Sequence, residues 1–589
     1  MAVRFGIARH RPGGKAEVSG SRLLFLRVAM AALLLVLVGR LFIIQVLSHD
    51  HYAALATDQH YLTEKLFPER GAVYVSNPRA AEQKFPIAVN KSLALVYADT
   101  RGIDDSAAAA KALAPLLGLD EAELLAKLAA KDDPYVPLAR QVSEEAVNRV
   151  RALGLASVHI TAEPFRYYPE GAAFSHLTGF VGFDAAGQRV GRYGIEGFWN
   201  RELTGKVGYI EAETDPVGRW IGIAERDLRP ATDGAEILLT IDRNIQYYAC
   251  EKLAAAVERH GATGGAVVIL EPKTGAVLAL CGYPNFDPNA YSAVKDMRAF
   301  NDPAIFYSYE PGSIMKAITM AAALDADKVL PYTTYNDEGV VKIGPYSIRN
   351  SDGKANGIQT MTQVLEKSLN TGAIFAADRL GPKLFRQYVE AFGFGAATGI
   401  ELDSEAAGDI SSISKKGDIW TATASFGQGI TTTPIQMAAA YAALANGGKL
   451  VKPYVVKEIR RSDGMVVRTE PQVVRQVITK RASTLVGGML VRVVENGHGK
   501  AAGVNGYYVA GKTGTAQISK ANGQGYEENA FIGSFVGYAP VDDPAFVMLT
   551  KIDRPQDVIF AESSAAPLFG EIASFLLQYL QIPPDRPAD

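Results

Sequence analysis

The chemistry that this chain can perform is suggested first by two side chains with a short spacing. Ser313 and Lys316 are three positions apart, so on a helix they lie on the same face, one turn from each other. A serine hydroxyl is a poor nucleophile until a base takes its proton, and a partly desolvated lysine can be neutral enough to do so. An ordinary serine cap followed by a solvated lysine has the same spacing. The pair predicts a nucleophile and its base, with a helix cap as the alternative.

The Ser-x-x-Lys spacing also occurs at Ser292–Lys295, Ser351–Lys354 and Ser412–Lys415. Ser313 differs from these because Tyr309-Glu310-Pro311-Gly312 supplies a turn that should open a helix at the serine. The partial positive charge of a helix N-terminus favours the negative charge that develops on an attacking oxygen. The context therefore favours Ser313 as the nucleophile.

A second candidate group is Ser368-Leu369-Asn370. Its two polar side chains diverge on a regular helix, so they can serve one site only at a bend between helices. Lys367 before the group and Thr371-Gly372 after it suit a capped surface turn equally well.

The third group, Lys512-Thr513-Gly514-Thr515, follows a predicted strand that begins at Tyr507. On a strand, Thr513 and Thr515 share one face, and Gly514 leaves room for a peptide backbone to approach. Two hydroxyls with a lysine nearby can hold a carboxylate. Alternation points Lys512 away from the threonines, so the pattern does not place its ammonium group in the site.

The elements around these groups predict an antiparallel sheet packed with helices, in an α+β domain over residues 232–580 that is followed by a tail over 581–589. The predicted strands are Glu236–Ile241, Gly265–Leu270, Ala276–Cys281, Tyr507–Ala516, Phe531–Ala539 and Ala545–Ile552. The predicted helices run from Asp242, as N-cap, to about His260, and over Ser313–Ala326, Met361–Leu380, Pro434–Asn446 and Ala566–Leu580. The turn Glu271–Gly275 contains a second Lys-Thr-Gly, which we interpret as a hairpin and not as a site.

Residues 48–231 are mixed in pattern and predict an α/β pedestal. Asp105–Ala130 predicts two short helices around Gly118, the second capped by Asp120, and Ser143–Leu153 predicts another. The glycine-rich stretch from Tyr168 to Gly208 predicts short strands and tight turns. Its histidines lack the spacing of metal ligands, so we expect a binding or spacer module without a metal.

Leu23–Leu47 is a 25-residue apolar stretch interrupted by Arg27, Arg40 and Gln45. As a helix it is about 37 Å long, enough for a hydrocarbon core of about 30 Å. The preceding residues include Arg4, Arg9, Arg11, Lys15 and Arg22, a basic flank that should stay in the cytoplasm as a tail over 1–22 and place the rest outside. A cleaved signal peptide is the alternative, with Ala54-Leu55-Ala56 as cleavage site, but the apolar stretch is too long for one.

The composition narrows the class of protein. The 589 residues carry 60 basic and 63 acidic side chains, a net charge of −3 that argues against a dedicated nucleic-acid binder. Hydrophobic residues make up 48%, as in globular proteins, which excludes a disordered chain. Cys250 and Cys281 are the two cysteines, and we expect two buried thiols because nothing in the sequence brings them together.

The three groups in this order resemble the penicilloyl serine transferases, which include penicillin-binding proteins and serine β-lactamases. YEPGSIMKAIT around Ser313, GKTGTAQ from Gly511 and FGQGITTTPIQMAAAYAALANGG from Phe426 are similar to the class B penicillin-binding proteins, as are Arg70-Gly71 and Tyr193-Gly194-Ile195-Glu196. The length and single anchor resemble the FtsI-type septal enzymes. One departure is Phe560–Pro567, where relatives often carry a Gly-Gly pair.

The resemblance implies roles for individual residues in a peptidoglycan D,D-transpeptidase. Ser313 would form the acyl-enzyme with a stem peptide ending in D-alanyl-D-alanine, and Lys316 would be its base. Ser368 and Lys512 would pass a proton to the leaving group. The substrate would be bound by Asn370, Thr513, Gly514 and Thr515.

The resemblance also implies partners and no cofactor or metal. The expected partners are peptidoglycan stem peptides, β-lactams that trap Ser313, the bilayer, a SEDS-family glycan polymerase and other division proteins, on the periplasmic side of the inner or plasma membrane. An elongation-type transpeptidase, a β-lactam sensor and a D,D-carboxypeptidase or β-lactamase remain alternatives.

Overall fold

The structure is a computed structural model that describes residues 20–49, 61–77, 83–130, 133, 135–185, 187–213, 226–520 and 525–586. The chain divides into two compact units. One comprises residues up to Phe67 together with Val207–Ala231, and the other comprises Pro68–Lys206 and the residues from Thr232 onwards. The predictions that concern the basic residues from Arg4 to Lys15 and the Ala54–Ala56 cleavage site lie outside the described residues.

The strands vary from three to 15 residues in length. In chain order they are β1 Tyr61–Leu66, β2 Val73–Ser76, β3 Lys84–Ala98, β4 Val136–Val142, β5 Val158–Tyr167, β6 Phe180–Phe183, β7 Arg189–Arg192, β8 Gly208–Glu213, β9 Arg226–Arg229, β10 Glu236–Asp242, β11 Gly264–Leu270, β12 Val277–Tyr283, β13 Thr334–Asp337, β14 Val340–Ile343, β15 Tyr346–Arg349, β16 Gly357–Thr360, β17 Lys449–Val451, β18 Val456–Arg460, β19 Val466–Arg468, β20 Val473–Gln476, β21 Ala510–Ser519, β22 Tyr526–Ala539 and β23 Phe546–Asp553.

The α-helices follow the same numbering by chain order. They are α1 Gly20–Phe42, α2 Ser106–Leu117, α3 Glu121–Ala129, α4 Glu144–Ala152, α5 Ser175–Thr178, α6 Gly194–Phe198, α7 Asn200–Thr204, α8 Arg243–Arg259, α9 Met315–Asp325, α10 Met361–Glu366, α11 Asn370–Leu380, α12 Pro382–Ala391, α13 Asp418–Ser425, α14 Pro434–Ala445, α15 Lys480–Asn496 and α16 Ala565–Tyr579.

The smaller unit contains α1 and a three-stranded antiparallel sheet in the order β1-β8-β9. Helix α1 continues into a π-helical segment, Ile43–Leu47. Within the part of the chain that the structure describes, Leu24–Leu47 is the one helical stretch long and apolar enough to cross a membrane. The predicted helix is confirmed, and its length fits a single-pass anchor.

The larger unit begins with a sheet in the order β19-β18-β10-β2-β3-β4, and β5 also pairs with β3, over Val89–Ala98. Its pairs are antiparallel except that β10 runs parallel to β2. Helices α2, α3 and α4 pack on β3–β5 through a small apolar core that contains Val96, Leu113, Leu128 and Val150. The two helices predicted around Gly118 and the N-cap at Asp120 are confirmed, as is the helix after Ser143.

The prediction for Tyr168–Gly208 is wrong in part. Its one hairpin within the described residues is β6–β7, and most of the rest is short helix, namely α5, α6, α7 and a 3₁₀ turn at Gly171–Phe174. The glycines do mark turns, since Gly179 and Gly205 have φ values of 67° and 74°. They separate helical turns here because a glycine with positive φ ends a helix as readily as it turns a hairpin.

A buried ion cluster joins distant parts of this unit. Glu196 on α6 has no exposed surface and accepts from Arg70 Nε and Arg166 Nε at 2.6 Å each. Burial alone raises the pKa of Glu196, but the two guanidinium groups outweigh burial and lower it. The cluster therefore holds an ionised carboxylate inside the protein and links the start of β2 to the end of β5 through α6.

The central sheet is antiparallel, in the order β12-β11-β23-β22-β21. One face packs on α8 and α16 through residues that include Phe535 and Phe569, and the other packs on α14 and α15 through residues that include Val536 and Tyr441. The α+β fold and all the strands predicted for this domain are confirmed, although β21 starts at Ala510 and not at Tyr507. Strand β21 is one edge of the sheet.

The helices of this domain are predicted less completely. The apolar pattern from Met361 to Leu380 predicts one long helix, but the structure has α10 and α11 with a break at Lys367–Leu369. Helices α12, α13 and α15 are not predicted, and α15 is 17 residues long. Its serine, threonine and two adjacent glycines lower its intrinsic helix propensity, while packing of residues such as Leu490 stabilises it.

The expectation for the two cysteines is wrong. Cys250 on α8 and Cys281 on β12 form a disulfide, with their Cα atoms 5.3 Å apart. The two residues meet because α8 packs on β12, which is a tertiary contact that no local pattern contains.

Removal of this disulfide is expected to lower the stability of the protein. The bridge closes a loop with a sequence separation of 31, for which the chain-entropy model gives about 3–4 kcal/mol. The thermal midpoint of the Cys250→Ala/Cys281→Ala variant, followed by circular dichroism, should fall by several degrees. Reduction of the wild-type protein should reproduce the shift and leave the variant unaffected, and an unchanged midpoint would contradict the prediction.

Candidate active site

The candidate nucleophile lies on a turn that leads directly into a buried helix. Gly312–Ile314 forms a 3₁₀ turn, and α9 follows without interruption. Gly312 has φ 58°, a conformation that favours glycine. Ser313 is half-buried, whereas Lys316, one turn later, is 1% exposed. The predicted helix is confirmed, and its first residues lie close to the central sheet.

Two glycines allow this close approach. Gly312 N donates to Gly427 O at 3.1 Å, and a Cβ on Gly427 would lie 2.2 Å from Gly312 O. A Cβ on Gly514 would lie 2.8 Å from Pro311 O. The turn that carries Ser313 is thus packed against the backbone of β21 at Gly514 and against the loop at Gly427.

Ser368 lies in the break between α10 and α11. Its φ is 54°, an uncommon value for a residue other than glycine. Leu369 N still donates to Val364 O at 2.9 Å, and Asn370 is the first residue of α11. The bend that the Ser-x-Asn spacing requires is therefore present.

Two lysine side chains meet at Ser368. Lys316 Nζ is 2.6 Å from Ser368 O and 3.3 Å from Ser368 Oγ. Lys512 Nζ donates to the same Oγ at 3.0 Å. Lys512, Ser368 and Lys316 are far apart in the chain, so the fold joins all three of the candidate groups at a single hydroxyl.

The strand register explains how Lys512 reaches this point. Lys512 pairs with Val536, so both face the core that contains Ile314 and Met315. Alternation alone would place the side chain of Thr513 on the other side of the sheet, yet its Oγ1 lies within 3.4 Å of Lys512 Nζ. The Lys512 ammonium group nevertheless lies in the site, because the Ser368 break lies over the Lys512 face.

The threonines contact their surroundings differently. Thr513 Oγ1 is 3.4 Å from Lys512 Nζ. Thr515 Oγ1 accepts from Ala561 N at 3.1 Å, a contact that uses a lone pair of the hydroxyl oxygen and not its proton. Asn370 Nδ2 donates to Arg349 O at 2.8 Å, so the opposite end of this amide is the acceptor.

Burial shapes the electrostatics of the lysine pair. The pKa of Lys316 is well below its usual range, first because the side chain is desolvated and second because Lys512 repels its charge. Desolvation lowers the pKa of Lys512 to about 7, against an opposing effect of the Glu562 carboxylate. A lysine of this kind can exchange a proton near neutral pH.

Two acidic residues near the site, Glu310 and Glu562, are not among those predicted from the sequence. Glu310, three residues before Ser313, accepts from Gly429 N at 3.0 Å and from Tyr526 Oη at 3.1 Å, and burial raises its pKa. The Glu562 carboxylate lies 2.8 Å from His498 Nδ1, within hydrogen-bonding distance. Glu310 is adjacent to the Ser-x-x-Lys group, so its position was a usable signal, whereas the pairing of Glu562 and His498 is visible only in the fold.

The other copies of the short patterns have different surroundings. Ser292 and Ser351 are exposed, and Lys415 Nζ lies 4.6 Å from the centre of the Trp420 ring. Lys273 in the hairpin pairs with Asp543 at 2.5 Å. Among the described residues, no group of three or more His, Cys, Asp or Glu side chains could hold a metal ion.

Two protein-family models match the chain. The model described as "Penicillin binding protein transpeptidase domain" matches residues 265–574, and that described as "Penicillin-binding Protein dimerisation domain" matches residues 65–239. The first match includes all the candidate site residues, and the second lies within the N-terminal half.

Relatives match over nearly the whole length. Stage V sporulation protein D of Bacillus subtilis is 33% identical over 571 residues, 96% of this chain and 86% of that protein. The peptidoglycan D,D-transpeptidase FtsI homolog of Mesostigma viride is 29% identical and covers 94% of each chain. The crystal structure of penicillin-binding protein 3 from Mycobacterium tuberculosis, complexed with aztreonam, has a TM-score of 0.68 at 24% identity, covering 89% of this chain and 99% of that one.

Proposed function

Since the chain belongs to the class B penicillin-binding proteins, we propose that it cross-links peptidoglycan stem peptides as a serine D,D-transpeptidase, with Ser313 as the nucleophile. The observation that carries this proposal is the position of Ser368 Oγ, 3.3 Å from Lys316 Nζ and 3.0 Å from Lys512 Nζ. This arrangement connects a base beside Ser313 with a second titratable amine through one hydroxyl, as a proton relay requires.

The first half-reaction forms an acyl-enzyme. Ser313 Oγ attacks the carbonyl carbon between the two terminal D-alanines, and its proton passes to Lys316 Nζ. The C–N bond breaks, the departing amine receives a proton through Ser368 with Lys512 beside it, and D-alanine leaves. The low pKa of Lys316 supports this step, because only a neutral amine accepts a proton.

The second half-reaction forms the cross-link. The amine of a neighbouring stem peptide attacks the ester carbonyl, its proton returns through the same relay, and Ser313 Oγ is released. The backbone amides of Ser313 and Thr515 would stabilise the oxyanion in both halves, and donors of that kind contribute roughly 3 kcal/mol each to lowering the barrier. The contact of Pro311 with Gly514 supports this, since it brings the Ser313 turn against β21.

Substrate binding would use the edge of the sheet. An extended stem peptide can lie along β21, which has a neighbour on one side only in the order of the sheet. The hydroxyls of Thr513 and Thr515 would hold the terminal carboxylate, with Gly514 between them leaving room for the peptide, and Asn370 would accept from a substrate amide. β-Lactams, which mimic D-alanyl-D-alanine, would acylate the same serine.

The activity is tested with the purified full-length protein and a polymerised glycan that carries pentapeptide stems. We expect mass spectrometry of the digested product to show cross-linked dimers together with released D-alanine. Protein blocked beforehand with a β-lactam is the matched control and should produce neither. Release of D-alanine without any cross-link would indicate a D,D-carboxypeptidase instead.

The expected location is outside the cytoplasm, with the chain anchored by α1. The disulfide Cys250–Cys281 supports this, because such bonds persist in oxidising compartments. The proposed domains are the cytoplasmic tail 1–22, the anchor 23–47, the pedestal 48–231 and the transpeptidase domain 232–580. A protease added to intact spheroplasts should digest the catalytic domain, and its full protection would contradict this topology.

A role in septal wall synthesis is the finer proposal, supported by the likeness to the FtsI homolog over 94% of each chain. Depletion should then produce filaments, whereas round cells would indicate an elongation enzyme. The anchor and pedestal would bind a SEDS-family glycan polymerase. Co-purification of that polymerase with the full chain, and its loss when the α1 sequence is exchanged for an unrelated span, would support this partner.

A further inference from the structure

Asp337 is a buried carboxylate close to the Ser-x-Asn group. It ends β13, is 1% exposed and has no role in the chemistry described above. Its described hydrogen-bond partners are all neutral donors. A buried carboxylate costs free energy unless the lone pairs of its two oxygens accept hydrogen bonds.

Both oxygens of the Asp337 carboxylate accept hydrogen bonds from several donors. Oδ1 accepts from Thr371 Oγ1 at 2.8 Å and from Gly339 N at 3.0 Å, and Oδ2 accepts from Asn356 Nδ2 at 2.8 Å and from Asn356 N at 3.1 Å. Asn350 Nδ2 lies 3.0 and 2.9 Å from the two oxygens. Burial alone raises the pKa of Asp337, but these hydrogen bonds together lower it, so the group is ionised at neutral pH.

Two of these partners hold the start of α11. Thr371 is the second residue of that helix, and its backbone N donates to Asn350 Oδ1 at 3.2 Å. The N-cap residue Leu369 supplies no side-chain hydrogen bond. The first turn of α11 is therefore capped from outside by Asn350, and the Asp337 carboxylate lies beside it through the Thr371 hydroxyl, where a negative charge near a helix N-terminus is electrostatically favourable.

The same contacts reach Asn370. Its Nδ2 donates to the carbonyl of Arg349, the residue immediately before Asn350. Asn350 is anchored in turn by the Asp337 carboxylate. The backbone beside Asn370, at Thr371, and the side-chain amide of Asn370 are therefore both held in place through residues that bind the Asp337 carboxylate.

We propose that Asp337 is a positioning residue for substrate recognition, which acts through Thr371 and Asn350 to orient Asn370 toward the acyl-amide group of the substrate. This inference rests on the proposed function, in which Asn370 binds the amide of the substrate by hydrogen bonds. It assigns to the ribbons β13–β16 and β14–β15 a part in specificity.

The test compares two probes that share a β-lactam ring. Benzylpenicillin carries an acylamide whose N–H can donate to Asn370 Oδ1 and whose carbonyl can accept from the second Nδ2 hydrogen of Asn370. 6-Aminopenicillanic acid has a free amine in its place and lacks that carbonyl. Intact-protein mass spectrometry gives the second-order acylation constant for each probe. The quantity compared is the constant for benzylpenicillin divided by that for 6-aminopenicillanic acid. In Asp337→Asn, whose amide would face the donors of Asn350 and Asn356, we expect this ratio to fall about ten-fold.

The controls separate recognition from folding. Asp352→Asn changes an exposed carboxylate in the same segment and should keep the wild-type ratio. Thr371→Val removes one donor at constant shape and should lower the ratio in the same direction, even if Asp337→Asn does not fold. In an Asn370→Ala background, Asp337→Asn should change the ratio no further.

A ratio that stays at the wild-type value in Asp337→Asn and Thr371→Val would overturn the inference, whether acylation by the two probes falls equally or does not change. Failure of the wild-type protein to react with either probe is a different outcome, since it would refute the proposed function itself.

Discussion

Ser313→Ala should eliminate the covalent adduct with a labelled penicillin. The hydroxyl is the only group of the Ser313 turn proposed to bond to the substrate carbonyl, and loss of a nucleophile costs on the order of 10⁶-fold in serine enzymes. Intact-protein mass spectrometry after exposure to penicillin should show one acyl group on the wild-type protein and none on the variant. Peptide mapping should locate the label on the peptide that contains Ser313.

The matched controls are the other serines with the same local pattern. Ser292→Ala and Ser351→Ala remove exposed hydroxyls that are each followed by a lysine three positions later. Both variants should acylate at the wild-type rate. Persistent labelling of Ser313→Ala, or loss of labelling in either control, would show that the nucleophile has been misassigned.

The second large effect is expected at the lysine pair. Lys316→Gln removes the proposed base and should slow acylation by about 10²–10⁴-fold. Lys295→Gln, an exposed lysine in one of the other Ser-x-x-Lys pairs, is the control and should have no effect. Stopped-flow measurement with a fluorescent penicillin reports the rate, and a loss below ten-fold would contradict the role of Lys316.

The pH dependence of acylation tests how the two lysines interact. Acylation needs neutral Lys316, so its rate should fall as the pH drops through the pKa of that amine. Lys512 is charged below about pH 7 and helps to keep the Lys316 pKa low. In Lys512→Met the repulsion disappears while the burial of Lys316 remains, so the pKa of Lys316 should rise. The fall of the acylation rate on the acidic side of its pH profile should then occur at higher pH. An acidic side of the profile that stays at the same pH or moves to lower pH would show that the charge of Lys512 does not lower the pKa of Lys316.

Much of the central sheet could be predicted because alternating or continuous apolar patterns set its strands, as in Gly265–Leu270. The break at Ser368 was harder, since the apolar period continues from α10 into α11 and only the positive φ of Ser368 interrupts it. The spacing of Ser368 and Asn370 still indicated that a bend was needed if the two were to act together.

Contacts between elements that are distant in the chain could not be predicted from local sequence patterns. The meeting of Lys316 and Lys512 at one hydroxyl depends on the packing of the Gly312–Ile314 turn against β21, and the pairing of Cys250 with Cys281 depends on that of α8 against β12. Asp337 carried no signal at all, because an acidic residue at the end of a short strand usually faces water.

The buried Glu196 has a consequence for how this sequence can change over time. Exchange of Glu196 alone leaves the guanidinium groups of Arg70 and Arg166 without their shared carboxylate, and exchange of either arginine removes one of the two charges that keep the buried Glu196 ionised, so a change at one of the three positions constrains the other two. Gly71 is equally constrained, since a Cβ there would lie 1.9 Å from Ala235 O. Arg70-Gly71 and the segment ending at Glu196, two of the stretches that resemble the class B penicillin-binding proteins, are thus constrained by the internal packing of the larger unit, and a variant enzyme could lose its chemistry entirely while still carrying both.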